Sequence, residues 1–258
     1  MHVPPTARIV EVGPRDGLQN ERALIATADK IAFVDHLSRA GHQVIEVSAF
    51  VSPKWVPQMA DAADVFAAIT RRPGAKYSAL VPNQRGLARA IDAGVSQVAI
   101  FAAASETFSR RNINQSIDES LATYAAVCAD AAAAGVPVRG YLSTCFVCPF
   151  EGPIDAQRVA DISSRLLEIG VFEVAISDTI GAAHPGMVQH LLDLSARAFR
   201  SRKSRCTSTT LAAPRSPTFW RASITASRRS TVQPGASAAA PSRRALRATS
   251  QPRTCSSC

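Results

Sequence analysis

Six alternations of a strand-like run with a helical run predict an α/β fold on a parallel sheet. Three observations carry that prediction. Short apolar runs give way repeatedly to stretches of helical period. Gly41, Gly94, Gly135 and Gly170 each follow a helical stretch and precede a strand, where a left-handed helix C-cap wants glycine. The polar clusters all follow strands. Six βα units make either an open doubly wound sheet or six-eighths of a barrel. No Gly-rich GxGxxG follows the first strand, so a dinucleotide-binding sheet has no support.

Taken in order, the first strand is expected at Arg8–Val12, and Gly13-Pro14 ends it. A helix follows near Thr27–Ala40, with Ile31, Val34 and Leu37 on one face. Strand Gln43–Ala49 leads to helix Asp61–Arg71, strand Lys76–Val81 to helix Gln84–Ala93, and strand Ser96–Phe101 to helix Ile117–Ala134. That last helix lines up Ile117, Leu121, Tyr124 and Cys128. Strand Val136–Ser143 precedes helix Asp155–Ile169, and strand Phe172–Ile176 precedes helix Pro185–Leu194. Beyond Leu194 the periodicity collapses into Ser, Thr, Pro, Ala and Arg. Residues 1–194 are therefore expected to be a domain and 195–258 an irregular basic tail.

The length of 258 residues suits one large domain, and a 47% hydrophobic fraction supplies a substantial core. The net charge of +9 is not spread evenly. Residues 1–196 hold 16 Lys+Arg against 20 Asp+Glu, whereas 197–258 hold 13 Lys+Arg and no acid. The body is mildly acidic, and the basicity belongs to the tail. A non-catalytic fragment whose basic tail binds nucleic acid is an alternative. The tail has one aromatic pair, Phe219-Trp220, and no interleaved stacking platform, so the support for it is charge alone and no nucleic-acid partner is expected. No run of eighteen apolar residues occurs, so no membrane span is expected. The start lacks a basic segment followed by an apolar one, which points to the cytoplasm. Cys145 and Cys148 are read as reduced residues of a loop. Cys255 and Cys258 lie too far from them for a zinc ribbon.

The stretch that organises the chain is Glu11-Val12-Gly13-Pro14-Arg15-Asp16-Gly17-Leu18-Gln19-Asn20-Glu21, at the end of the first strand. A carboxylate beside a guanidinium is suited to holding a divalent metal and a developing oxyanion together. The plain alternative is a surface turn whose Arg–Asp pair contributes little. Gly13, Pro14 and Gly17 fix the backbone, which favours a site. Arg139 and Tyr141 alternate with Val138 and Gly140, so both can point inward on the fifth strand.

These residues resemble the signature of the hydroxymethylglutaryl-CoA lyases, metal-dependent carbon–carbon lyases built on a TIM (β/α)8 barrel. The resemblance continues through Val44–Val47, Phe50–Met59, Ala104–Glu106, Asn112–Asn114, Val138–Tyr141 and Ser177–Gly181, and stops near Asp193. Related Claisen-condensing synthases carry a similar Arg-Asp-Gly turn; Leu18-Gln19-Asn20 and the Ser52–Trp55 loop argue against that reading. The resemblance implies an acyl-CoA substrate, a divalent cofactor (Mg2+ or Mn2+), and allows a homodimer. It makes Asp16 a metal ligand, Arg15 the enolate-stabilising cation, and Gln19 an amide donor to substrate. Glu46 would orient Arg15 or the substrate. Asp178 would lie in the catalytic site and assist proton transfer, against the alternative of an N-cap for the following turn. Arg139 and Tyr141 would face the substrate. Asn112, with Arg110 and Arg111, is expected in a polar loop near the CoA phosphates. Trp55 and Met59 are assigned to packing.

The family's remaining ligands come from a His-x-His-Asp strand and a late Asn, and its mobile cysteine from a Gly-Gly-Cys-Pro loop. None is present. His36, His42, His184 and His190 form no spaced pair. Back-translating Cys206–Thr210 and shifting one base permits Val-His-Leu-His-Asp. Gly235–Arg244 and Arg247–Pro252 can likewise hide the later family segments, in the right order. Residues from about Leu194 onward are therefore expected to be an out-of-frame translation, with impaired activity in the chain as written.

Overall fold

The structure, a computed structural model, describes residues 8–201, 208–213 and 222–227, with the side chains of 8–195. All of these lie in one unit, Met1–Arg228. Strands β1 (Val10–Glu11), β2 (Val44–Ala49), β3 (Lys76–Leu80), β4 (Gln97–Ala103) and β5 (Val138–Ser143) are successive parallel neighbours. A two-residue hairpin, β6 (Val147–Cys148) with β7 (Gly152–Pro153), stands apart. Strand β8 (Glu173–Ser177) then joins β5, again in parallel. Helices α1 (Thr27–Arg39), α2 (Ala62–Ala68), α3 (Gln84–Asp92), α5 (Ile117–Ala133) and α6 (Ala156–Glu168) are the crossovers, and α7 (Pro185–Ser201) follows β8. Six βα units thus fall where the sequence places them, in the TIM-barrel order. The four expected C-cap glycines adopt φ between 69° and 106°.

The two faces of the sheet differ chemically. Ile45, Val47, Tyr77, Val98, Ile100, Leu142, Val174 and Ile176 point outward into the apolar layer with the helices. Burying this face drives folding, at about 1.5–3 kcal/mol for each large side chain removed from water. The inward positions are mostly small or polar: Glu46, Ser48, Ser78, Ala99, Arg139, Tyr141, Glu173, Ala175 and Ser177 are all buried, with Leu80 and Phe101 in a smaller apolar cluster on the same face. Parallel strands covered on both faces usually read as continuous apolar runs. Here the strands alternate because their interior is a polar network.

Four features differ from the sequence reading. Residues 106–113 are a helix, α4 (Glu106–Ile113), rather than a polar loop. The Ser105 side chain caps its start by accepting from Phe108 N, and Asn114 ends it at φ 55°. Helix α7 runs on to Ser201, past the expected end at Leu194. Trp55 is 87% exposed and does not pack, whereas Met59 is buried as expected.

The fourth difference lies in the tail. Strands β9 (Ser208–Ala213) and β10 (Ala222–Ser227) extend the sheet where an irregular segment was expected. Strand β9 is parallel to β8, β10 is antiparallel to β9, and β10 comes close to β1. Both segments, STTLAA and ASITAS, are uncharged, and their Thr, Leu and Ile suit a strand. The outer edge of β8 is consequently paired. Cys206, Cys255, Cys258 and the segments 235–244 and 247–252 lie outside the described residues, as does most of the proposed 195–258 division.

Candidate active site

The Gly13–Gly17 segment winds as a single π-helical turn. The amides of Arg15, Asp16 and Gly17 all converge on the Val12 carbonyl, at 3.1, 2.7 and 3.5 Å. Such turns are rare and concentrate at functional sites. Pro14 fits because the amides of the first turn of a helix have no partner within it. A Cβ at Gly13 would stand 2.8 Å from Glu11 Oε1 and would displace that carboxylate. The Gly13 amide instead donates to that oxygen at 2.7 Å. The turn thereby carries Arg15 into the sheet interior, where it is only 7% exposed.

The guanidinium is held from two sides. Arg15 Nε donates to Glu46 Oε1, and Nη1 donates to Asp16 Oδ1 at 2.9 Å. Its Cζ lies 5.8 Å from the Tyr141 ring centroid. Burial opposes the charge on Arg15, but Glu46 and Asp16 outweigh it and hold the group protonated, with its pKa above the ordinary arginine value. The second oxygen of Glu46 accepts from Tyr141 OH at 2.7 Å. Burial, reinforced by the Glu46 carboxylate, pushes the Tyr141 phenol above the usual tyrosine range. Tyr141 OH also accepts from Arg139 Nη1 at 3.0 Å, and Arg139 Nε donates to Glu173 Oε1 at 2.8 Å. Arg8 closes the lower end by donating to Glu173 Oε2.

Arg15, Asp16, Glu46, Arg139 and Tyr141 are therefore brought together. Arg139 and Tyr141 point inward as the strand alternation requires, and their hydrogen bonds go to the carboxylates of Glu173 and Glu46. Gln19 follows the π-turn and is half-buried beside it. Asp178 ends β8 on the same edge of the sheet, but its two oxygens accept the amides of Ala182 (3.1 Å) and Ala183 (2.8 Å). The capping alternative is thus realised at that residue. Asn112 is exposed on α4, where Arg111 stacks on Phe150 at 4.2 Å, and is not part of the buried cluster. Cys145 and Cys148 are free, and both are buried, Cys148 on β6 rather than in a loop.

Sequence reasoning missed Glu173, and at Thr144 it read only a place in a polar cluster after the fifth strand. Glu173 could have been found as a carboxylate opening an otherwise apolar strand, because a buried charge demands a partner. Thr144, just after β5, adopts a positive φ of 56° while fully buried. Its amide donates to Thr179 Oγ1 at 2.7 Å, which ties the ends of β5 and β8 together. No sequence signal marks such a backbone.

Among the described residues, no three His, Cys, Asp or Glu side chains converge as a metal cage. Asp16 offers a hard carboxylate, and Arg15 occupies one of its oxygens. This donor set does not by itself fit a divalent ion.

The HMGL-like family profile matches residues 6–207, beyond Asp193, where the resemblance was read to stop. The chain belongs to the HMGL-like family. It is 51% identical over 193 residues to the 3-hydroxy-3-isohexenylglutaryl-CoA/hydroxy-methylglutaryl-CoA lyase of Pseudomonas aeruginosa, covering 75% of this chain and 64% of that one. It is 48% identical over 191 residues to the cytoplasmic 3-hydroxy-3-methylglutaryl-CoA lyase of Rattus norvegicus, covering 74% and 56%. The crystal structure of hydroxymethylglutaryl-CoA lyase from Pseudomonas aeruginosa superposes with a TM-score of 0.77 and 47% identity, over 82% of this chain and 70% of that one. This HMGL-like chain therefore spans about three fifths of the length of the curated relatives it matches.

Proposed function

We propose that the chain is a carbon–carbon lyase of the leucine-degradation type, cleaving 3-hydroxy-3-methylglutaryl-CoA to acetoacetate and acetyl-CoA. The observation that supports it best is the buried Arg15, aimed by Glu46 and Asp16 at the edge where the parallel strands end. Barrel enzymes place their chemistry on that edge. In the reaction the tertiary alcohol loses its proton, its oxygen becomes the ketone of acetoacetate, and the bond to the thioester α-carbon breaks. The electron pair passes to the thioester as an enolate, and the α-carbon then takes up a proton. Arg15 answers the enolate: a fixed guanidinium meets charge that develops only in the transition state, an effect worth roughly 3 kcal/mol per donor. Glu46 orients that guanidinium, and Tyr141 orients Glu46. Gln19 reaches the substrate from the π-turn, and Asp178 shapes the loop that follows β8.

The family resemblance implies a divalent metal. We assign Asp16 as one oxygen donor to Mg2+ or Mn2+, with further donors to come from beyond the described residues. No helix among the described residues is long and apolar enough to cross a membrane. A cytoplasmic location follows the name of one rat relative, whereas a bovine and another rat relative are named mitochondrial.

Incubation with 3-hydroxy-3-methylglutaryl-CoA and Mg2+ or Mn2+ tests the reading. Acetoacetate and acetyl-CoA should form in equal amounts. Release of free CoA without acetoacetate would show a thioester hydrolase instead and end the lyase reading.

A further inference from the structure

We propose that Glu173, at the start of β8, is a positioning residue that fixes the Glu46 carboxylate against Arg15, acting through Arg139 and Tyr141. What the positioned arginine does rests on the lyase reading above. The relay itself rests on geometry. Arg139 and Glu173 are each 1% exposed and stand opposite each other in register on β5 and β8. An ion pair buried this deeply is held only if its geometry is good and its remaining hydrogen-bonding atoms are engaged.

The bonds have a fixed direction. Arg139 can only donate, and it donates to both Glu173 and Tyr141 OH. The phenol has one proton, and with Arg139 donating to its oxygen that proton points at Glu46 Oε2, 2.7 Å away. The other Glu46 oxygen is thereby presented to Arg15 Nε. From Arg8 through Glu173, Arg139, Glu46 and Arg15 to Asp16, positive and negative groups alternate with one neutral phenol between them. Small neighbours leave room for this: Ala99 is the register partner of Arg139, and Ala175 that of Tyr141.

Neutralising Glu173 would leave Arg139 buried, with Glu46 the next carboxylate acting on it. Arg139 would then compete with Arg15 for Glu46. A merely structural Glu173 would lower stability and leave the hydrogen bond between Tyr141 and Glu46 unchanged.

The test uses the full chain labelled with [13Cζ]-tyrosine, with Tyr141 assigned from a Tyr141→Phe spectrum. Glu173→Gln should move the Tyr141 phenol resonance and leave that of Tyr124 in place. Glu173→Asp, which keeps the charge and shortens its reach, should move it less. Asp64→Asn, at an exposed site on α2, should move neither. In the lyase assay Glu173→Gln should lower kcat by about tenfold, the scale of losing a partner that orients a functional group, with KM nearly unchanged. A Tyr141 resonance unmoved in the folded variants overturns the relay, and a moved resonance with unchanged kcat overturns the positioning role. If neither variant folds, Glu173 is structural and the proposal fails. If neither the parent nor the frame-restored chain makes acetoacetate, the lyase reading fails separately, because the resonance reads the relay without turnover.

Discussion

The Tyr141 hydroxyl donates to Glu46 Oε2 at 2.7 Å, joining the fifth strand to the second across the interior, 95 residues apart in sequence. Glu46 is 1% exposed, so this donor offsets part of the cost of burying its charge. Tyr141→Phe keeps the ring and removes the donor. The expected loss is about 1–3 kcal/mol of stability, the cost of leaving a buried acceptor unmet. Urea denaturation measures it, and a midpoint equal to that of the parent would contradict the role given to the phenol.

Alkaline pH should expose the same residue spectroscopically. Burial raises the phenols of Tyr124 and Tyr141 above the ordinary tyrosine value, and the Glu46 carboxylate adds to the shift at Tyr141. The folded chain therefore binds these protons more tightly than the unfolded chain. Their stabilising contribution is complete below about pH 10, where tyrosine is protonated in both states, and is lost as pH climbs towards the folded values. Tyrosinate absorbance and loss of circular dichroism should rise together in that window. Tyr141→Phe should flatten the fall in stability. Phenol ionisation well before unfolding would contradict this.

The adjacent pair at the π-turn should divide its labour. In a frame-restored protein, Asp16→Asn should weaken metal binding, because a neutral amide is a poorer ligand for a hard cation. Arg15→Gln should spare metal affinity and lower turnover by roughly 3 kcal/mol in the barrier. Isothermal titration with Mn2+ beside a steady-state assay separates the two. Equal losses of metal affinity in both variants would refute the division.

A second buried cluster holds the loops that flank the site. Lys30 Nζ donates to the Gln58 carbonyl at 2.5 Å and to both Asp61 oxygens at 2.8 and 2.9 Å. The Gln58 side chain in turn grips Ala23 O and Ile25 N, at 2.9 and 3.0 Å. Lys30→Met should cost about 2 kcal/mol, less than the loss of a fully buried partner because Asp61 remains partly solvated. Proteolysis should also begin in the 20–26 segment. An uncleaved loop with unchanged stability would show the clasp to be incidental.

Most of the fold was legible because its signals are local. The helix-closing glycines and the outward residues Ile45, Val98 and Ile176 follow from period and backbone conformation alone. The identity of the interior residues was legible too, since Glu46, Arg139 and Tyr141 interrupt strands that would otherwise be apolar. Which groups they contact was not legible. The pairing of Glu46 with residues 15 and 141, and of Arg139 with Glu173, depends on how four strands stagger, and a single chain carries no direct record of that. Helix α4 was missed because its cap, Ser105, sits among residues with no apolar stripe. Asp178 shows the converse limit: its type suits both catalysis and capping, and only the amides of Ala182 and Ala183 decide which contacts it makes.

The tail yields the most consequential prediction. We propose that residues from about Leu194 onward are read out of frame, and the position of β9 sharpens what restoration should do. Ser208–Ala213 runs parallel to β8, with Thr209 opposite Val174, in the place of a seventh barrel strand. The shifted reading of Cys206–Thr210, Val-His-Leu-His-Asp, falls at the start of that strand. By the family resemblance it would supply the imidazole donors that the described residues lack around Asp16. Removing direct ligands should cost more than the roughly 10–100-fold typical of residues that only support them. Resequencing the coding DNA around codons 190–200, then expressing both forms, tests this by Mn2+ titration and by acetoacetate release with Mg2+. The restored form should bind the ion more tightly, turn over at least a hundredfold faster by that scale, and melt cooperatively. If the 258-residue chain binds the metal and releases acetoacetate as well as the restored one, the frameshift proposal is wrong and the remaining ligands lie elsewhere.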